Sequence, residues 1–324
     1  SKKFDLEENP SNDIYKIQNR KTACKIIEEL TGEIVSEYDN LLLDECIELL
    51  MQNRNLILTG APGTGKTYLA KQIASEIGKY KFVQFHPSYD YTDFVEGLRP
   101  KNDNGNIGFE RKDGVFKEFC KEALNNQSSN FVFIIDEINR GEISKIFGEL
   151  FFSVDSGYRG EKGKVQTQYA NLIEDGDEFK DGFYIPENVY IIGTMNDIDR
   201  SVESMDFAMR RRFAWKEIKA EDTQETILKD LGDLKDETIK RMNNLNKVIR
   251  NKETNLSEAY CIGAAYFKKI KDYEGDFNKL WENHLKGLLF EYTRGMQNQE
   301  TILKELKNAY DLKDNLINDN SNQD

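Results

Sequence analysis

Short apolar segments alternate with segments of helical spacing through the middle of the chain. The apolar segments, in order from Asn55, are LILT, KFVQF, FVFIID and NVYIIGT. The helices between and after them are predicted to begin at Lys66, Gly114, Glu142 and Ser201. This alternation is typical of a three-layer α/β domain around a mostly parallel sheet. Because FVFII and VYII are apolar throughout, they are predicted to be central strands covered on both faces.

Helical spacing also flanks this region, and two insertions interrupt it. Leading helices are predicted at 12–30 and 41–52, and the chain becomes helical and poor in strands after Trp215. Stretches rich in glycine and polar residues at 99–113 and 158–182 are interpreted as inserted hairpins or loops. The candidate helices after Trp215 are Thr223–Leu231, Glu237–Arg250, Glu258–Lys271 and Leu280–Tyr292.

These patterns predict one large α/β domain followed by a small helical lid domain. A length of 324 residues agrees with this, because it exceeds one ordinary domain of roughly 100–200 residues and falls short of three. The predicted parts are an N-terminal helical or linker segment at 1–40, the α/β domain at 41–218, the lid at 219–312 and a disordered tail at 313–324.

The composition is that of a folded chain. Hydrophobic residues make up 38% and aromatic residues 11%, which is enough to bury a core. No apolar stretch approaches the roughly 18 residues that cross a bilayer. The N-terminus lacks the apolar core of a secretory signal, so we expect either a cytoplasmic protein or a chain that has been shortened. The four cysteines and two histidines lack the spacing of a zinc site, and the cysteines are interpreted as reduced thiols.

The charge limits how the chain can meet nucleic acid. It carries 45 basic and 58 acidic residues, for a net charge of -13. This is opposite to the electrostatic footprint of a domain that wraps DNA. Any contact with DNA is therefore expected to be local, through a basic pore or through a separate recognition module.

The strongest signal of chemistry is LILTGAPGTGKT, an apolar strand that runs through GxxxxGKT into a predicted helix. Glycines are needed there because backbone N–H groups must close around phosphate oxygens, and the start of a helix adds favourable dipole charge. Lys66 is predicted to reach the β- and γ-phosphates, and Thr67 to offer its hydroxyl to Mg²⁺. The predicted phosphate-binding residues are Gly60, Ala61, Pro62, Gly63, Thr64, Gly65, Lys66 and Thr67.

A second signal is FVFIIDEINR, an apolar strand that ends in two carboxylates. On its own, such a strand more often ends in solvent-facing charges. About 70 residues after the phosphate loop of an α/β domain, it is instead typical of a magnesium site. Asp136 is predicted to hold Mg²⁺ through its water shell, and Glu137 to orient or deprotonate the attacking water.

Two further candidates follow the last long strand. An asparagine after a strand is usually a turn residue, but the strand order is expected to bring Asn196 beside Asp136 at the edge where open α/β sheets bind ligands. Arg210, Arg211 and Arg212 end the helix that is predicted from Ser201. Either they stabilise the C-terminus of that helix, or one of them reaches the γ-phosphate bound by a neighbouring subunit.

The aromatic residues in FHPSYDYTDF have two interpretations. Tyr89, Tyr91 and Phe94 could stack on bases or contact a partner. Aromatic residues this close to a strand more often pack in the core, and we favour packing.

Together these motifs resemble a known family. GAPGTGKT, FIIDEINRGEISKIFGEL and IIGTMNDIDRSVESMDFAMRRRF are similar to the AAA+ motor subunit McrB of the McrBC modification-dependent restriction systems. The resemblance runs from about Leu42 to Tyr292. It includes FHPSYDYTDFVEGLRP at Phe85–Pro100 and GVFKEFCKEA at Gly114–Ala123, which generic AAA+ proteins lack.

The resemblance implies an AAA+ P-loop NTPase that uses GTP in preference to ATP together with Mg²⁺. It also implies a homo-oligomeric ring, which we expect to have six subunits, and a McrC-like nuclease partner. Carried over by position, Asn196 is sensor 1, and Asp199 and Arg200 complete its signature. Arg211 or Arg212 is the arginine finger.

The chain departs from the family pattern at three places. The family motif in the small domain resembles IGHSYF, whereas this chain has IGAAYF at 262–267. The His and Ser of the motif are therefore absent. MNDIDR replaces the commoner MNTADR and places Asp197 beside Asn196. Only about 40 residues precede the resemblance, where McrB proteins commonly carry a DNA-reading domain. That domain is expected either to have been removed or to belong to another subunit.

Two other functions fit the same fold. One is an ATP-driven remodelling chaperone resembling the MoxR group, which FHPSYDYTDFVEG and FGELFF argue against. The other is a scaffold that binds nucleotide and barely hydrolyses it. Glu137 disfavours the scaffold, because a pure switch has little need of that carboxylate.

Overall fold

The computed structural model describes residues 37–103, 106–198, 207–254 and 256–313. Several features predicted from the sequence lie outside these ranges. They are the leading helix at 12–30, the start of the helix at Ser201 and all but the first residue of the tail at 313–324.

Strands of the described chain form a five-stranded sheet and a separate hairpin. The strands are β1 (Asn55–Thr59), β2 (Lys79–Gln84), β3 (Glu96–Asp103), β4 (Asn106–Asp113), β5 (Phe131–Asp136), β6 (Val189–Thr194) and β7 (Ala214–Glu217). The order across the sheet is β2, β5, β6, β1, β7, and β5 pairs in parallel with both β2 and β6. This confirms the predicted α/β fold around a mostly parallel sheet.

Burial along the strands follows their position in the sheet. Every residue of β6 is buried, as are the first five residues of β5, which confirms that these apolar runs are central strands. β2 lies at the edge of the sheet, and four of its six residues are exposed. Gly193 in β6 is needed for space, because a Cβ atom there would lie 2.5 Å from Ile57 and 3.0 Å from Ile138.

Helices surround and follow the sheet. They are α1 (Glu37–Asn53), α2 (Lys66–Ile77), α3 (Tyr91–Phe94), α4 (Val115–Leu124), α5 (Ile143–Phe147), α6 (Phe207–Arg210), α7 (Gln224–Ile227), α8 (Lys235–Ile249), α9 (Ala264–Phe267), α10 (Phe277–Leu280), α11 (Lys286–Tyr292) and α12 (Gln299–Tyr310). The predicted starts at Lys66, Gly114 and Glu142 agree with α2, α4 and α5, because Gly114 and Glu142 are the N-caps. Among the helices described, none has both the length and the apolar composition needed to pass through a bilayer.

The prediction of one continuous helix at Glu258–Lys271 is wrong. The segment is divided into a short 3-10 helix, the four-residue helix α9 and a second 3-10 helix. The interruption lies at Gly263, whose backbone is extended with φ -78° and ψ 165°. Its N–H donates to Pro62 rather than to the preceding turn, so a contact distant in sequence overrides the local helical spacing.

The aromatic residues before the hairpin pack in the core, as expected. Phe85 and Phe94 are buried, and the ring of Phe94 stacks on Phe116 with 4.7 Å between the ring centroids. Tyr89 stacks on Phe85 at 4.8 Å. These contacts account for the aromatic spacing without a role in base stacking.

The two insertions have different structures. The stretch at 99–113 lies in the antiparallel hairpin of β3 and β4. The stretch at 158–182 forms short 3-10 helices and loops, and an antiparallel bridge pairs Val165 with Phe183 at its end. The prediction of hairpins or loops is therefore confirmed for both.

A buried group of ion pairs connects the hairpin to α4. Lys117 and Glu96 both have side chains with no exposed surface, and their Nζ and Oε2 atoms are 2.6 Å apart. Arg111 also contacts Glu96 at 3.1 Å, and the backbone N–H of Tyr169 donates to Glu96 Oε1 at 2.9 Å. Burial raises the pKa of Glu96, but the hydrogen bond from Lys117 and the charge of its ammonium outweigh this effect and hold the pKa below its usual value.

The described residues fall into two compact units that do not follow chain order. The second unit comprises 58–68, 194–198 and the described chain from 216 onward, and the first comprises the rest. In the second unit, Ala61 belongs to the same buried apolar cluster as Met242 and Leu245. The segment that holds the predicted phosphate loop therefore groups with the C-terminal helices. The domain boundaries at 41–218 and 219–312 stay predictions.

We expect Glu96→Gln to lower the free energy of unfolding at pH 7 by roughly 1–3 kcal/mol, because it leaves the buried Lys117 ammonium with only the more distant Asp113 carboxylate, 3.5 Å away, as counter-charge. A carboxylate with a lowered folded-state pKa stabilises the protein above its unfolded pKa of about 4.3 and loses this effect as the pH falls through the folded value. The difference between native and variant protein should therefore shrink below about pH 4. Urea unfolding followed by circular dichroism at several pH values measures it.

The matched control is Glu110→Gln on the same hairpin. Glu110 pairs with Lys101 and Lys112, whose side chains are more than half exposed, so its loss should leave the unfolding midpoint unchanged. An equal loss of stability at pH 3 and pH 7 in Glu96→Gln would show that the ion pair does not stabilise the hairpin.

Candidate functional site

The loop between β1 and α2 has the backbone conformation that the glycines were predicted to provide. Gly60, Gly63 and Gly65 have φ values of 141°, 77° and 83°, which side chains rarely allow. A Cβ atom on Gly63 would lie 2.5 Å from the ring of Tyr266, and one on Gly65 would lie 2.7 Å from Ile227. The loop is thus limited to glycine both by its conformation and by its neighbours.

Lys66 lies at the start of α2 with its side chain folded into the loop. Its Nζ atom donates to the carbonyl oxygens of Gly60 at 3.0 Å and Ala61 at 2.8 Å. Only 7% of the residue is exposed. Thr67 follows as the second residue of α2, so its hydroxyl stands in the first turn of the helix.

Two backbone donors of the C-terminal region hold the loop. The N–H of Gly263 donates to the carbonyl of Pro62 at 2.9 Å, and the N–H of Ala265 donates to the carbonyl of Gly63 at 3.0 Å. The ring of Tyr266 packs against Gly63, and burial raises the pKa of this tyrosine. IGAAYF, which departs from the family pattern, therefore contacts the phosphate loop directly.

A third donor is a buried hydroxyl. Thr223 Oγ1 donates to the carbonyl of Thr64 at 2.7 Å, and Thr64 Oγ1 in turn donates to the carbonyl of Ala61 at 3.0 Å. Both threonines are buried. The carbonyls of Pro62, Gly63 and Thr64, three residues in succession, thus all accept hydrogen bonds from the chain after β7.

The backbone on both sides of Asn196 is hydrogen-bonded to the end of β1 and to the first residue of the loop. The N–H of Met195 donates to the carbonyl of Leu58 at 3.0 Å, and the N–H of Asp197 donates to the carbonyl of Gly60 at 3.4 Å. Asn196 is half-buried between them, whereas Asp197 is exposed. Asp199 and Arg200, which the resemblance adds to this signature, lie outside the described residues.

The loop fits a nucleotide triphosphate bound with Mg²⁺. Its glycines adopt positive φ values that side chains rarely allow, and the loop ends at the N-terminus of a twelve-residue helix, where backbone N–H groups favour anions. Lys66 supplies a positive charge, and Thr67 supplies a hydroxyl oxygen of the kind that Mg²⁺ prefers.

The carboxylates of the second predicted signal lie at the end of β5 in the first unit. Asp136 is the last residue of the strand and pairs in register with Gln84 of β2. Glu137 has a left-handed backbone with φ 51° and ψ 45°, which is uncommon for a residue other than glycine. This turn directs the chain into a 3-10 helix, and Arg140 Nε donates to Glu137 Oε2 at 3.2 Å. Arg140 therefore helps to orient the predicted catalytic carboxylate.

The structure separates the three adjacent arginines. The Arg210 guanidinium lies over the Trp215 ring at 4.3 Å, and the Arg212 guanidinium lies over the Phe151 ring at 4.5 Å. Arg212 also donates through Nη1 to the carbonyl of Ala208. Arg211 is exposed. Of the two residues predicted as the arginine finger, Arg212 has a packing role, and Arg211 is the better placed to reach another molecule.

Reasoning from the sequence missed the residues that hold the loop from behind. Helical spacing predicts Thr223 as the first residue of one helix and Gly263 as an interior residue of another. Gly263 carried a signal, because a glycine inside an apolar word often marks a close approach of two backbones. No comparable signal was available for Thr223. Arg140 stands at a three-residue spacing from Glu137, which is typical of a helical ion pair.

The fold and the loop together define a class of protein. A parallel-stranded α/β sheet whose first strand runs through GxxxxGKT into a helix is the arrangement of P-loop NTPases. A family model for the AAA domain of the dynein-related subfamily matches residues 55–213, from the first residue of β1 to the residue after the arginines. The protein is an AAA+ P-loop NTPase.

Two curated relatives identify the group of AAA+ proteins that this chain resembles. The chain is 39% identical over 237 residues to the type IV methyl-directed restriction enzyme EcoKMcrB subunit of Escherichia coli (strain K12), covering 69% of this chain and 50% of that protein. It is 28% identical over 204 residues to the type II restriction enzyme BsuMI component YdiS of Bacillus subtilis (strain 168), covering 54% of this chain and 60% of that protein. The chain belongs to the McrB-like AAA+ proteins, which confirms the resemblance seen in its motifs.

The chain spans about half the length of the Escherichia coli relative and 60% of the Bacillus subtilis one. A solved structure from Cytophaga hutchinsonii aligns over 92% of this chain and 96% of its own, with a TM-score of 0.38 and 14% identity.

We expect Arg212→Ala to lower the free energy of unfolding by roughly 1–3 kcal/mol, because it removes the contact with Phe151 and the hydrogen bond to Ala208. Arg211→Ala should change it by less than about 0.5 kcal/mol, since an exposed side chain contributes little to stability. Thermal and urea unfolding of both variants measure this difference in stability. Equal losses in the two variants would contradict it.

Proposed function

We propose that this chain is the motor subunit of a system that restricts modified DNA. It hydrolyses a purine triphosphate, with GTP favoured over ATP, as a homo-oligomeric ring, and it drives or activates a McrC-like nuclease subunit in the cytoplasm. The observation that carries the proposal is a complete phosphate loop with three positive-φ glycines in a chain 39% identical to a restriction-enzyme McrB subunit. The preference for GTP and the ring of six subunits follow from the family resemblance.

The phosphate loop binds the triphosphate in this proposal. Backbone N–H groups of the loop and of the first turn of α2 surround the phosphate oxygens. The Lys66 ammonium exchanges its carbonyl partners at Gly60 and Ala61 for the β- and γ-phosphate oxygens. The Thr67 hydroxyl would hold a magnesium ion directly and Asp136 would hold it through its water shell, and the ion would offset the charge of the triphosphate.

Hydrolysis breaks the bond between the γ-phosphorus and the bridging oxygen. Glu137 orients the attacking water and accepts its proton, and the products are a nucleoside diphosphate and phosphate. Arg140, at 3.2 Å from Glu137, holds the carboxylate before water binds. Asn196 adds a neutral amide beside the loop, where it can contact the γ-phosphate or the water without adding charge.

Assembly completes the site. Arg211 reaches the γ-phosphate bound by a neighbouring subunit and stabilises the charge that develops during transfer. Its exposure supports this role, and the packing of Arg210 and Arg212 fixes the backbone that presents it. Hydrolysis therefore depends on the ring, and an isolated subunit turns over slowly.

Contact with DNA is local or indirect in this proposal. The net charge of -13 opposes a broad DNA-binding surface, so DNA passes through a basic pore or is read by a separate module. The relatives are components of restriction enzymes, which supports a partner subunit that cuts the DNA.

Purified protein should hydrolyse GTP faster than ATP, and Glu137→Gln should reduce this turnover by at least about 100-fold while changing nucleotide affinity less than about threefold. The variant keeps the shape of the side chain and loses the group that accepts the proton. Steady-state phosphate release over a magnesium titration, with calorimetry for binding, measures both quantities.

Glu142→Gln is the matched control, because Glu142 lies five residues further on and pairs at the surface with Lys145. It should hydrolyse at the native rate. Near-native turnover in Glu137→Gln would exclude this residue as the base, and a clear preference for ATP would favour the chaperone-like alternative.

Mixing two inactive variants should restore turnover. Lys66→Ala cannot bind the triphosphate but keeps its arginine, and Arg211→Ala binds the triphosphate but offers no arginine to its neighbour. In an equal mixture, about a quarter of the interfaces combine the two intact halves, so roughly that share of native activity is expected. The mixture is assayed for phosphate release at several ratios.

The matched control replaces Arg211→Ala by Arg294→Ala, since Arg294 is an exposed arginine paired only locally with Glu291. Arg294→Ala alone should be fully active. Failure of Lys66→Ala and Arg211→Ala to regain turnover at any ratio would show that Arg211 does not act between subunits.

A further inference from the structure

The outer side of the phosphate loop is held by hydrogen bonds. The carbonyls of three successive residues accept from the chain after β7: those of Pro62 and Gly63 from backbone N–H groups, and that of Thr64 from a hydroxyl. The donor–acceptor distances are 2.9, 3.0 and 2.7 Å. A loop whose consecutive peptide groups are all fixed from one side has little freedom to rotate them.

The orientation of these peptide groups decides whether the loop can bind an anion. In a phosphate cradle the N–H groups converge on the ligand, so the carbonyl oxygens must point away from it. A peptide group that rotates by half a turn would present a carbonyl oxygen to the phosphate instead. Donors that engage the carbonyls from outside therefore favour the form of the loop that binds phosphate.

The Thr223 side chain makes one of these hydrogen bonds in place of the capping bond that is usual at its position. It is the N-cap of α7, a position where a threonine side chain ordinarily accepts from an N–H of the first turn. Its side chain makes no such bond here, and its Oγ1 donates instead to the Thr64 carbonyl. The residue is only 7% exposed, so the bond is shielded from water.

Gly263 is required for space rather than for conformation. Its φ of -78° is accessible to any residue. A Cβ atom at this position would nevertheless overlap the backbone of Gly63 and Thr64. The absence of a side chain lets the two backbones approach closely enough for the Gly263 N–H to reach the Pro62 carbonyl.

The same geometry explains why the IGAAYF segment at 262–267 can differ from the family motif and still hold the loop. The donors at 263 and 265 are backbone N–H groups, and the remaining contact is the ring of Tyr266. None of them needs a polar side chain at 264 or 265. Alanine at both positions therefore leaves the attachment of the loop intact.

We propose that Thr223 and Gly263 are positioning residues that keep the phosphate loop in its nucleotide-binding form. They act through the carbonyls of the loop and do not touch the nucleotide. Nucleotide affinity is thus set in part by the helical region that follows the sheet. This inference rests on the proposed function, because it assumes that the loop binds a triphosphate.

The test measures binding of Mg·GTP and Mg·ATP to the whole chain by calorimetry. Thr223→Val removes the hydroxyl with little change in shape and should weaken binding roughly three- to tenfold, the effect of one neutral hydrogen bond. Thr223→Ser keeps the hydroxyl and should bind as the native protein does. Gly263→Ala should weaken binding more than tenfold, because the backbone of the loop has to move.

Gly287→Ala is the matched control for Gly263→Ala. A Cβ atom on Gly287 meets nothing within 4 Å, and this residue lies in α11, so the variant should fold well and bind nucleotide at native affinity. Thermal unfolding without nucleotide is recorded for every variant. A residue with a merely structural role would lower the unfolding temperature and leave the affinity of the folded protein unchanged.

The outcomes separate the inference from the proposed function. Native affinity in both Thr223→Val and Gly263→Ala, with a native protein that binds nucleotide, would overturn the inference alone. A native protein that binds neither triphosphate would overturn the proposed function as well. If Gly263→Ala fails to fold, Thr223→Val compared with Thr223→Ser decides the matter.

Discussion

The phosphate loop depends on hydrogen bonds that its own residues cannot supply. Three glycines with positive φ give the loop its path, but such residues are also the most flexible in an unfolded chain. The carbonyls of Pro62, Gly63 and Thr64 are engaged by donors more than 150 residues away in the sequence. The flexibility that permits the cradle is thus removed by contacts made after the chain has folded.

Positively charged side chains are also held by contacts with other residues, and neighbouring cations have different partners. Three adjacent guanidinium groups would repel one another if they pointed the same way. Arg210 and Arg212 lie over aromatic rings, and the side chain of Arg211 is exposed. The buried Lys117 of α4 is likewise paired with Glu96 of the hairpin. Local pairing of this kind lets a chain with a net charge of -13 keep cations inside its folded structure.

The features that can be predicted from the sequence are those encoded within a few consecutive residues. The apolar runs of β5 and β6 identify central strands, and GxxxxGKT identifies the loop, because both signals lie within a few consecutive residues. The interruption at Gly263 could not be predicted from helical spacing, since its cause is a backbone distant in the sequence. The bond from Thr223 to Thr64 could not be predicted for the same reason, and the sequence places Thr223 only as the first residue of a helix. The arginines stayed ambiguous because adjacency in sequence does not tell which way each side chain leaves the backbone.

The order of the strands also constrains how the protein is made. β1 leaves the ribosome before the other strands, yet its neighbours in the sheet are β6 and β7, which are synthesised last. Until those strands emerge, the apolar β1 and the glycine-rich turn after it have no partners in the sheet. Pairings of such long sequence separation form slowly. Until β6 and β7 are made, the growing chain therefore carries this segment without its neighbours in the sheet, and such incompletely paired intermediates are prone to aggregate.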